Sequence, residues 1–276
     1  MHIHIAGGEK KPVKKTVTAA AACLMFILSA TVCSMAFLSA GSQKDIKIRE
    51  ASAGNERVII VIDPGHGGMD GGASAADGTD EKNINLAISL YLKKMMEEYP
   101  VDVIMTRTED EMLSDGADSI KGMKREDLKA RKSIIDQSGA ALAVSIHLNS
   151  FREDASVYGA QVFYPKKEQL RTKGRTDEQT SEIFAKAVQK ALENNISDGR
   201  ERSAMTKGDI IIFEDVQVPT ILVECGFLSN GEEAEKLKTA EYQEKMAASI
   251  WEGINEILCL EKPEKQQITD SANKTK

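Results

Sequence analysis

The sequence predicts an α/β fold, a central and mostly parallel sheet of about six strands flanked by helices, because strand-like and helix-like segments alternate along 57–260. The strand-like runs are short and apolar. The segments between them carry apolar residues at three- and four-residue spacing, as amphipathic helices do. The predicted strands are 58–62, 101–105, 140–146, 160–163, 209–213 and 220–225, and the predicted helices are 81–98, 125–138, 177–194, 232–237 and 241–258. This pattern indicates a single domain.

The first part of the chain differs in composition from this domain. A basic segment, 1–15, contains four lysines and precedes 16–43, which has no charged residue. A basic cluster before an apolar run of about 20 residues or more is typical of a membrane anchor or an export signal. Two interpretations stay open, an uncleaved anchor and a signal peptide cleaved after Ala36. In both, the lysines stay in the cytoplasm and the remainder faces outwards.

Two polar segments flank the predicted domain, a linker at 44–56 and a tail at 261–276. Residues 1–40 hold four lysines and one glutamate, so the remaining chain has 32 basic and 42 acidic residues and a net charge of −10. An acidic exported domain argues against nucleic acid as a partner. The four cysteines do not form a disulfide framework, since Cys23 and Cys33 lie in the apolar segment.

Three of the predicted strands deliver residues that can carry chemistry. His66 follows the first strand, His147 follows the third, and Glu224 lies in the last, otherwise apolar strand. Ligands of open α/β sheets bind beyond the carboxyl ends of the strands, so these side chains are expected to meet at one edge. Taken alone, His147 fits a core histidine equally well, and Glu224 could end its strand in a salt bridge. A buried carboxylate is costly unless it is paired, protonated or bound to a metal, which favours a functional role for Glu224.

Two imidazoles in one cluster indicate a divalent metal, because two histidines and one carboxylate are a known ligand set of catalytic zinc. Glu81 lies in the first turn of a predicted helix, on the same face as apolar residues three and seven positions later, so it is expected to be buried. It could instead be an acid at the positive end of the helix dipole, although Asp80 suits that role better as N-cap. Asp63 and Asp70 stay open as competing ligands.

With these residues assembled, the chain resembles the zinc-dependent N-acetylmuramoyl-L-alanine amidases of the Amidase_3 family. The motifs that carry the resemblance stand in the family's order: IDPGHGGMDGG at 62–72, EKNINLAISLYL at 81–92, TRTED at 106–110, VSIHLNS at 144–150 and VECGFLSN at 223–230. The resemblance covers about 57–258. It implies one Zn²⁺ per chain, held by His66, Glu81 and His147. It also implies that Glu224 is the catalytic carboxylate.

The resemblance implies hydrolysis of the amide between N-acetylmuramic acid and L-alanine in peptidoglycan, with an accessory activator protein as a further partner. HLNS followed by GAQVFY at 159–164 looks most like the spore-cortex amidases. The expected location is then outside the cytoplasm, either anchored in the membrane through 16–43 or secreted to the wall or the space between the forespore membranes. Two rival functions stay open, a catalytically inactive wall-binding protein and another zinc peptidase or deacetylase acting on the wall.

Three further residues are expected to support this site. Arg107 and Asn149 are candidates for contacts with the substrate or with the metal ligands, although Arg107 fits a surface ion pair equally well. Asp63 is expected to accept backbone N–H bonds or to orient His66.

Overall fold

The structure, a computed structural model, describes residues 57–114, 116–169, 177–196 and 201–263. Outside them lie the flanking segments named above: 1–15, 16–43, 44–56 and most of 261–276. Within the described ranges, no helix combines the length and the apolar character needed to cross a membrane.

Strands and helices alternate as the sequence predicts. The strands are β1 (Val58–Pro64), β2 (Val101–Met105), β3 (Leu142–Asn149), β4 (Gln161–Pro165), β5 (Met205–Lys207) and β6 (Thr220–Phe227). The helices are α1 (Glu81–Met96), α2 (Ile120–Gln137), α3 (Asp177–Ile196), α4 (Gly231–Leu237) and α5 (Ala240–Leu258). Polar side chains close the first turns of three helices, since Ser119, Asn230 and Thr239 each accept a hydrogen bond from a backbone N–H three residues later.

The strands form one sheet in the order β2-β1-β3-β6-β4-β5. The first four of these strands are parallel to one another, whereas β4 pairs antiparallel with β6, and β5 pairs parallel with β4. The carboxyl ends of β1, β3 and β6 therefore meet at one edge of the sheet, and β4 begins at that same edge. This confirms the predicted fold class.

Both faces of the sheet are covered, which is why its central strands are almost continuously apolar. Helices α1, α3 and α5 cover one face, where Ile60 and Val223 of the sheet belong to the same buried cluster as Ile88, Phe184 and Ile250. On the other face, strand residues belong to a second buried cluster with Ile135 of α2. His147 and Glu224 alternate along their strands with Ile146 and Val223 of the first cluster, so their side chains lie on the second face.

One predicted strand, 209–213, is wrong. Ile211–Phe213 form a short 3-10 helix, in which Ile212 and Phe213 are buried in the same cluster as Ile135 of α2. A short apolar run fits a buried turn as well as a strand, so its composition could not distinguish the two. The edge strand is instead Met205–Lys207, which has no apolar pattern to predict it.

Candidate active site

Three predicted metal ligands lie together at the carboxyl edge of the sheet. Nε2 of His66 is 3.2 Å from Oε1 of Glu81, and Nδ1 of His147 is 3.1 Å from the same oxygen. The three ligand atoms all lie within 4.8 Å of one another. Tetrahedral ligand atoms at about 2.0–2.1 Å from a zinc ion lie about 3.3 Å apart, so this donor set fits one metal ion.

Glu81 is placed by the start of α1, of which it is the first residue. Its side chain is 3% exposed, and both carboxylate oxygens accept backbone hydrogen bonds, Oε1 from Leu148 and Oε2 from Ala73. Burial raises the pKa of Glu81, but the two neighbouring histidines outweigh it and hold the pKa far below its ordinary value. Glu81 is therefore an ionised carboxylate that faces two imidazoles, not a solvated acid at the end of a helix dipole.

Asp70 orients the His66 ring from the side away from the cluster. Nδ1 of His66 is 2.8 Å from Oδ2 of Asp70, whose other oxygen lies 2.5 Å from Nζ of Lys124. Because Asp70 is an ionised acceptor, Nδ1 of His66 donates to it and Nε2 faces the cluster. Burial lowers the pKa of His66, but Asp70 and Glu81 outweigh it and raise the pKa to about 9. Of the two aspartates left open as competing ligands, Asp70 thus contacts Nδ1 of His66, the ring nitrogen that faces away from the cluster.

Two buried arginines hold the metal loop, the segment 63–72 that begins at the end of β1 and carries His66. Arg107 donates from Nε to the carbonyl of Pro64 (2.9 Å) and from Nη2 to that of Gly65 (3.0 Å). Arg131 donates from Nη1 to Pro64 and from Nη2 to His66, each at 2.6 Å. Three consecutive carbonyls are thus bound by two guanidinium groups, which fixes a loop in which His66 has the unfavourable φ of 61°.

Arg107 is therefore neither a surface ion pair nor a contact at the mouth of the site. Its side chain is 2% exposed and it donates only to backbone carbonyls among the described residues, the other two being those of Lys82 and Glu109. Burial, followed by the neighbouring charge of Arg131, lowers the pKa of Arg107 to about 10. It supports the metal loop through the backbone.

Asp63 has different partners from those expected. It accepts hydrogen bonds from the hydroxyls of Thr106 (2.6 Å) and Ser145 (2.7 Å) and forms an ion pair with Nη1 of Arg131 (2.9 Å). The expectation that it binds backbone N–H groups or the His66 ring is wrong, because the hydroxyls and Arg131 occupy its carboxylate. Arg131 was not among the residues predicted from the sequence. The available signal was its place on α2, four residues after Asp127, which also binds it.

Two glycines leave room for the ligands. A Cβ at position 65 would lie 2.3 Å from the ring of His147. At Gly72, where φ is 73°, a Cβ would lie 2.5 Å from Oε2 of Glu81. Both contacts are shorter than any side chain tolerates, so the backbone must approach the ligands without side chains.

Glu224 lies in the strand next to His147, and the Cα atoms of the two residues are partners in the β3–β6 pairing. Its Oε1 is 3.5 Å from Nζ of Lys207, while its Oε2 is buried without a hydrogen-bond partner in the described part of the chain. Burial raises the pKa of Glu224 against the opposing charges of His147 and Lys207. Asn149 ends β3, where its Oδ1 accepts from the Ser150 amide.

A family model described as N-acetylmuramoyl-L-alanine amidase, Amidase_3, matches residues 60–256, well over half of the chain. The chain belongs to this family. The predicted family and the predicted class of enzyme are thereby confirmed, and all four residues of the predicted site lie inside the matched range.

Named relatives agree with this assignment. The germination-specific N-acetylmuramoyl-L-alanine amidase of Bacillus subtilis (strain 168) is 36% identical over 197 residues, which cover 71% of this chain and 78% of the relative. The structure of the CwlD amidase from Clostridioides difficile in complex with the GerS lipoprotein matches with a TM-score of 0.67 and 39% identity, over 74% of this chain and 99% of that one. An N-acetylmuramoyl-L-alanine amidase from Clostridium difficile 630 matches with a TM-score of 0.62 and 29% identity, over 74% and 98% of the two chains.

Proposed function

We propose that this protein is a zinc-dependent amidase that hydrolyses the bond between the lactyl group of N-acetylmuramic acid and L-alanine in peptidoglycan. The observation that carries the proposal is the cluster of His66, Glu81 and His147 with the buried carboxylate of Glu224 in the next strand. Membership of the amidase family supports the choice of substrate. A wall-binding protein without activity has no need of the fourth residue.

His66, Glu81 and His147 would hold the zinc ion, since two imidazoles and a carboxylate leave a coordination position open for catalysis. When bound, zinc would supply polarisation of the substrate carbonyl and acidification of water. The chain prepares for this by keeping Glu81 ionised and by directing Nε2 of His66 toward the cluster through Asp70.

Glu224 would act as general base and then as general acid. Its Oε2, which has no hydrogen-bond partner among the residues that the structure describes, would accept a proton from the attacking water. The same carboxyl would pass that proton to the departing alanine nitrogen. A carboxyl whose pKa is raised by burial suits both the acceptance and the donation of the proton, because the raised pKa lies nearer to the pH at which the enzyme works.

We further propose that the protein acts outside the cytoplasm, on the wall or the spore cortex, held in the membrane through 16–43. In this arrangement 1–15 stays inside, 44–56 is the linker, 57–260 is the catalytic domain and 261–276 is a polar tail. The germination-specific relative and the uncharged run of 16–43 support this role. The solved complex of the CwlD amidase with a lipoprotein supports an accessory protein partner.

Zinc content and product mass test the proposal together. We expect about one zinc per chain in the purified protein, lost in His147→Ala, measured by elemental mass spectrometry. Digested peptidoglycan should yield muramic acid with a free lactyl carboxyl and peptides with a new L-alanine amine. A peptidase or deacetylase would give other product masses, and an inactive binder would retain peptidoglycan without releasing peptide. Either result from the zinc-loaded protein would contradict the proposal.

A further inference from the structure

Lys207 extends across the sheet toward the proposed catalytic carboxylate. It is the last residue of the edge strand β5, and its Nζ lies 4.6 Å from the centroid of the Phe163 ring on β4. The same Nζ is 3.5 Å from Oε1 of Glu224 on β6. Because β6 lies between β3 and β4, Lys207 approaches Glu224 from the side opposite to His147.

The ammonium group of Lys207 has N–H donors available for a ligand. It can donate three hydrogen bonds, yet within the described ranges its only polar contact is the long one with Glu224. Its side chain is 41% exposed, so an anion can reach it from solvent. The ring of Phe163 restricts the position of the ammonium. Less side-chain entropy would therefore be lost when an anion binds to it.

The neighbouring lysines of the metal loop are already engaged. Nζ of Lys82 lies 2.7 Å from both the Gly68 carbonyl and Asp110, and Lys124 is paired with Asp70. A negatively charged group of the substrate would have to bind to a protein that carries a net charge of −7, so a free ammonium near the site matters. The stem peptide has a free carboxyl wherever the residue after L-alanine is a γ-linked D-glutamate.

We propose that Lys207 binds the α-carboxylate of this second stem residue and makes the enzyme prefer D-glutamate to its amide, D-isoglutamine. This inference rests on the proposed function, in which Glu224 protonates the departing alanine nitrogen. Because Glu224 protonates the alanine nitrogen in that function, the departing peptide would leave past Glu224, and Nζ of Lys207 lies 3.5 Å from that carboxylate. One residue of extended peptide spans about 3.5 Å, so the second stem residue falls within reach of Nζ.

Two disaccharide-tetrapeptides that differ only at this carboxyl test the inference. The zinc-loaded full chain and its Lys207→Met variant are compared by kcat/KM on the D-glutamate and the D-isoglutamine substrates. We expect the wild type to prefer the acid by about tenfold, as for one hydrogen bond between charged groups, and the ratio to fall to about one in the variant. Lys166→Met, which removes an exposed lysine just after β4, should keep the preference.

Three outcomes overturn the inference. The wild type could cleave both substrates equally well, or Lys207→Met could retain both the activity and the tenfold ratio. The variant could also lose activity on both substrates with the ratio unchanged, which would restrict Lys207 to positioning Glu224. Failure of the wild type to cleave either substrate would contradict the proposed function itself, and is thereby distinguishable. Zinc content and melting temperature of the variant show whether it is folded.

Discussion

The metal loop and the Glu224 strand stand side by side at one edge of the sheet, but their polar atoms are used differently. In the loop, the carbonyls of Pro64, Gly65 and His66 are all bound by buried arginines, and Asp63 has three side-chain partners. In the strand, Glu224 has one long contact, and its other oxygen has no partner in the described part of the chain.

The difference follows from what each region has to do. A metal ligand works best when its orientation is fixed before the metal arrives, so a dense set of buried hydrogen bonds is useful there. A carboxylate that exchanges a proton with water and substrate must have lone pairs available to them. Oε2 of Glu224 has no hydrogen-bond partner within the described ranges, which leaves it available for this exchange, although leaving a buried polar atom unpaired costs stability.

Glu224→Gln removes the proton acceptor while keeping the size and shape of the side chain. We expect zinc content to stay at about one per chain and kcat to fall by about 10²–10⁴-fold, the usual contribution of general acid–base catalysis. Elemental mass spectrometry and product release from peptidoglycan measure the two quantities. A fully active variant would rule out Glu224 as the proton carrier, and loss of zinc would make it a ligand instead.

Asp63→Asn breaks the buried ion pair beneath the loop. We expect the free energy of unfolding at pH 7 to fall by about 3 kcal/mol, the lower end of the range for removing one partner of such a pair, since Asp127 still binds Arg131. Urea unfolding measures this loss. Asp102→Asn, which removes an exposed pair with Arg57, is the control and should cost less than about 1 kcal/mol.

The loss of unfolding free energy in Asp63→Asn should depend on pH. Burial alone would raise the pKa of Asp63, but Arg131, Thr106 and Ser145 together bring it below its ordinary value. Because its pKa is lower in the folded state, ionised Asp63 stabilises the folded protein at pH values above the unfolded pKa of about 3.9. This contribution to stability is lost as the pH falls below that value. The difference in the free energy of unfolding between wild type and Asp63→Asn should therefore decrease below about pH 4. A difference that stays constant with pH would show that the charge of Asp63 is not its cause.

Asp70→Asn tests whether the His66 ring is oriented from behind. We expect the affinity for zinc to fall by about 10–100-fold, because the amide is a weaker partner for the Nδ1 proton than the carboxylate. Competition with a chromophoric chelator measures the affinity. Asp110→Asn is the matched control, since Asp110 binds the same loop through the Gly68 amide but touches no ligand. Equal affinity in wild type and Asp70→Asn would show that the ring needs no such support.

The sequence was sufficient to predict the fold and the four residues of the proposed site. His66 and His147 followed from strand ends, and Glu81 from its place on the buried face of a helix, and each of these depends on local periodicity. Arg131 and Lys207 could not be predicted in the same way. Arg131 lies 68 residues from Asp63 and Lys207 lies 17 residues from Glu224, and only the packing of α2 and the pairing of β5 bring them together.

The same distinction explains why the role of Asp70 was left open. An aspartate four residues after a histidine is compatible with a ligand and with a carboxylate that binds the far ring nitrogen. The turn at 66–70, together with the His66 φ of 61°, decides between them, and a backbone conformation of that kind cannot be read from residue types. Local patterns therefore located the ligands, whereas the hydrogen bonds that orient them required the three-dimensional structure.

Lys124→Met removes the outermost member of the chain of contacts that ends on His66. Lys124 is 43% exposed, and pairs of that kind contribute little, so we expect zinc affinity to change by less than about threefold. The difference in zinc affinity between wild type and Lys124→Met should decrease further at high salt, because exposed charges are screened. Chelator competition at two salt concentrations measures both effects. If Lys124→Met were as damaging as Asp70→Asn, the orientation of His66 would depend on the surface of α2, and the contrast between a fixed metal loop and an open carboxylate would lose its physical basis.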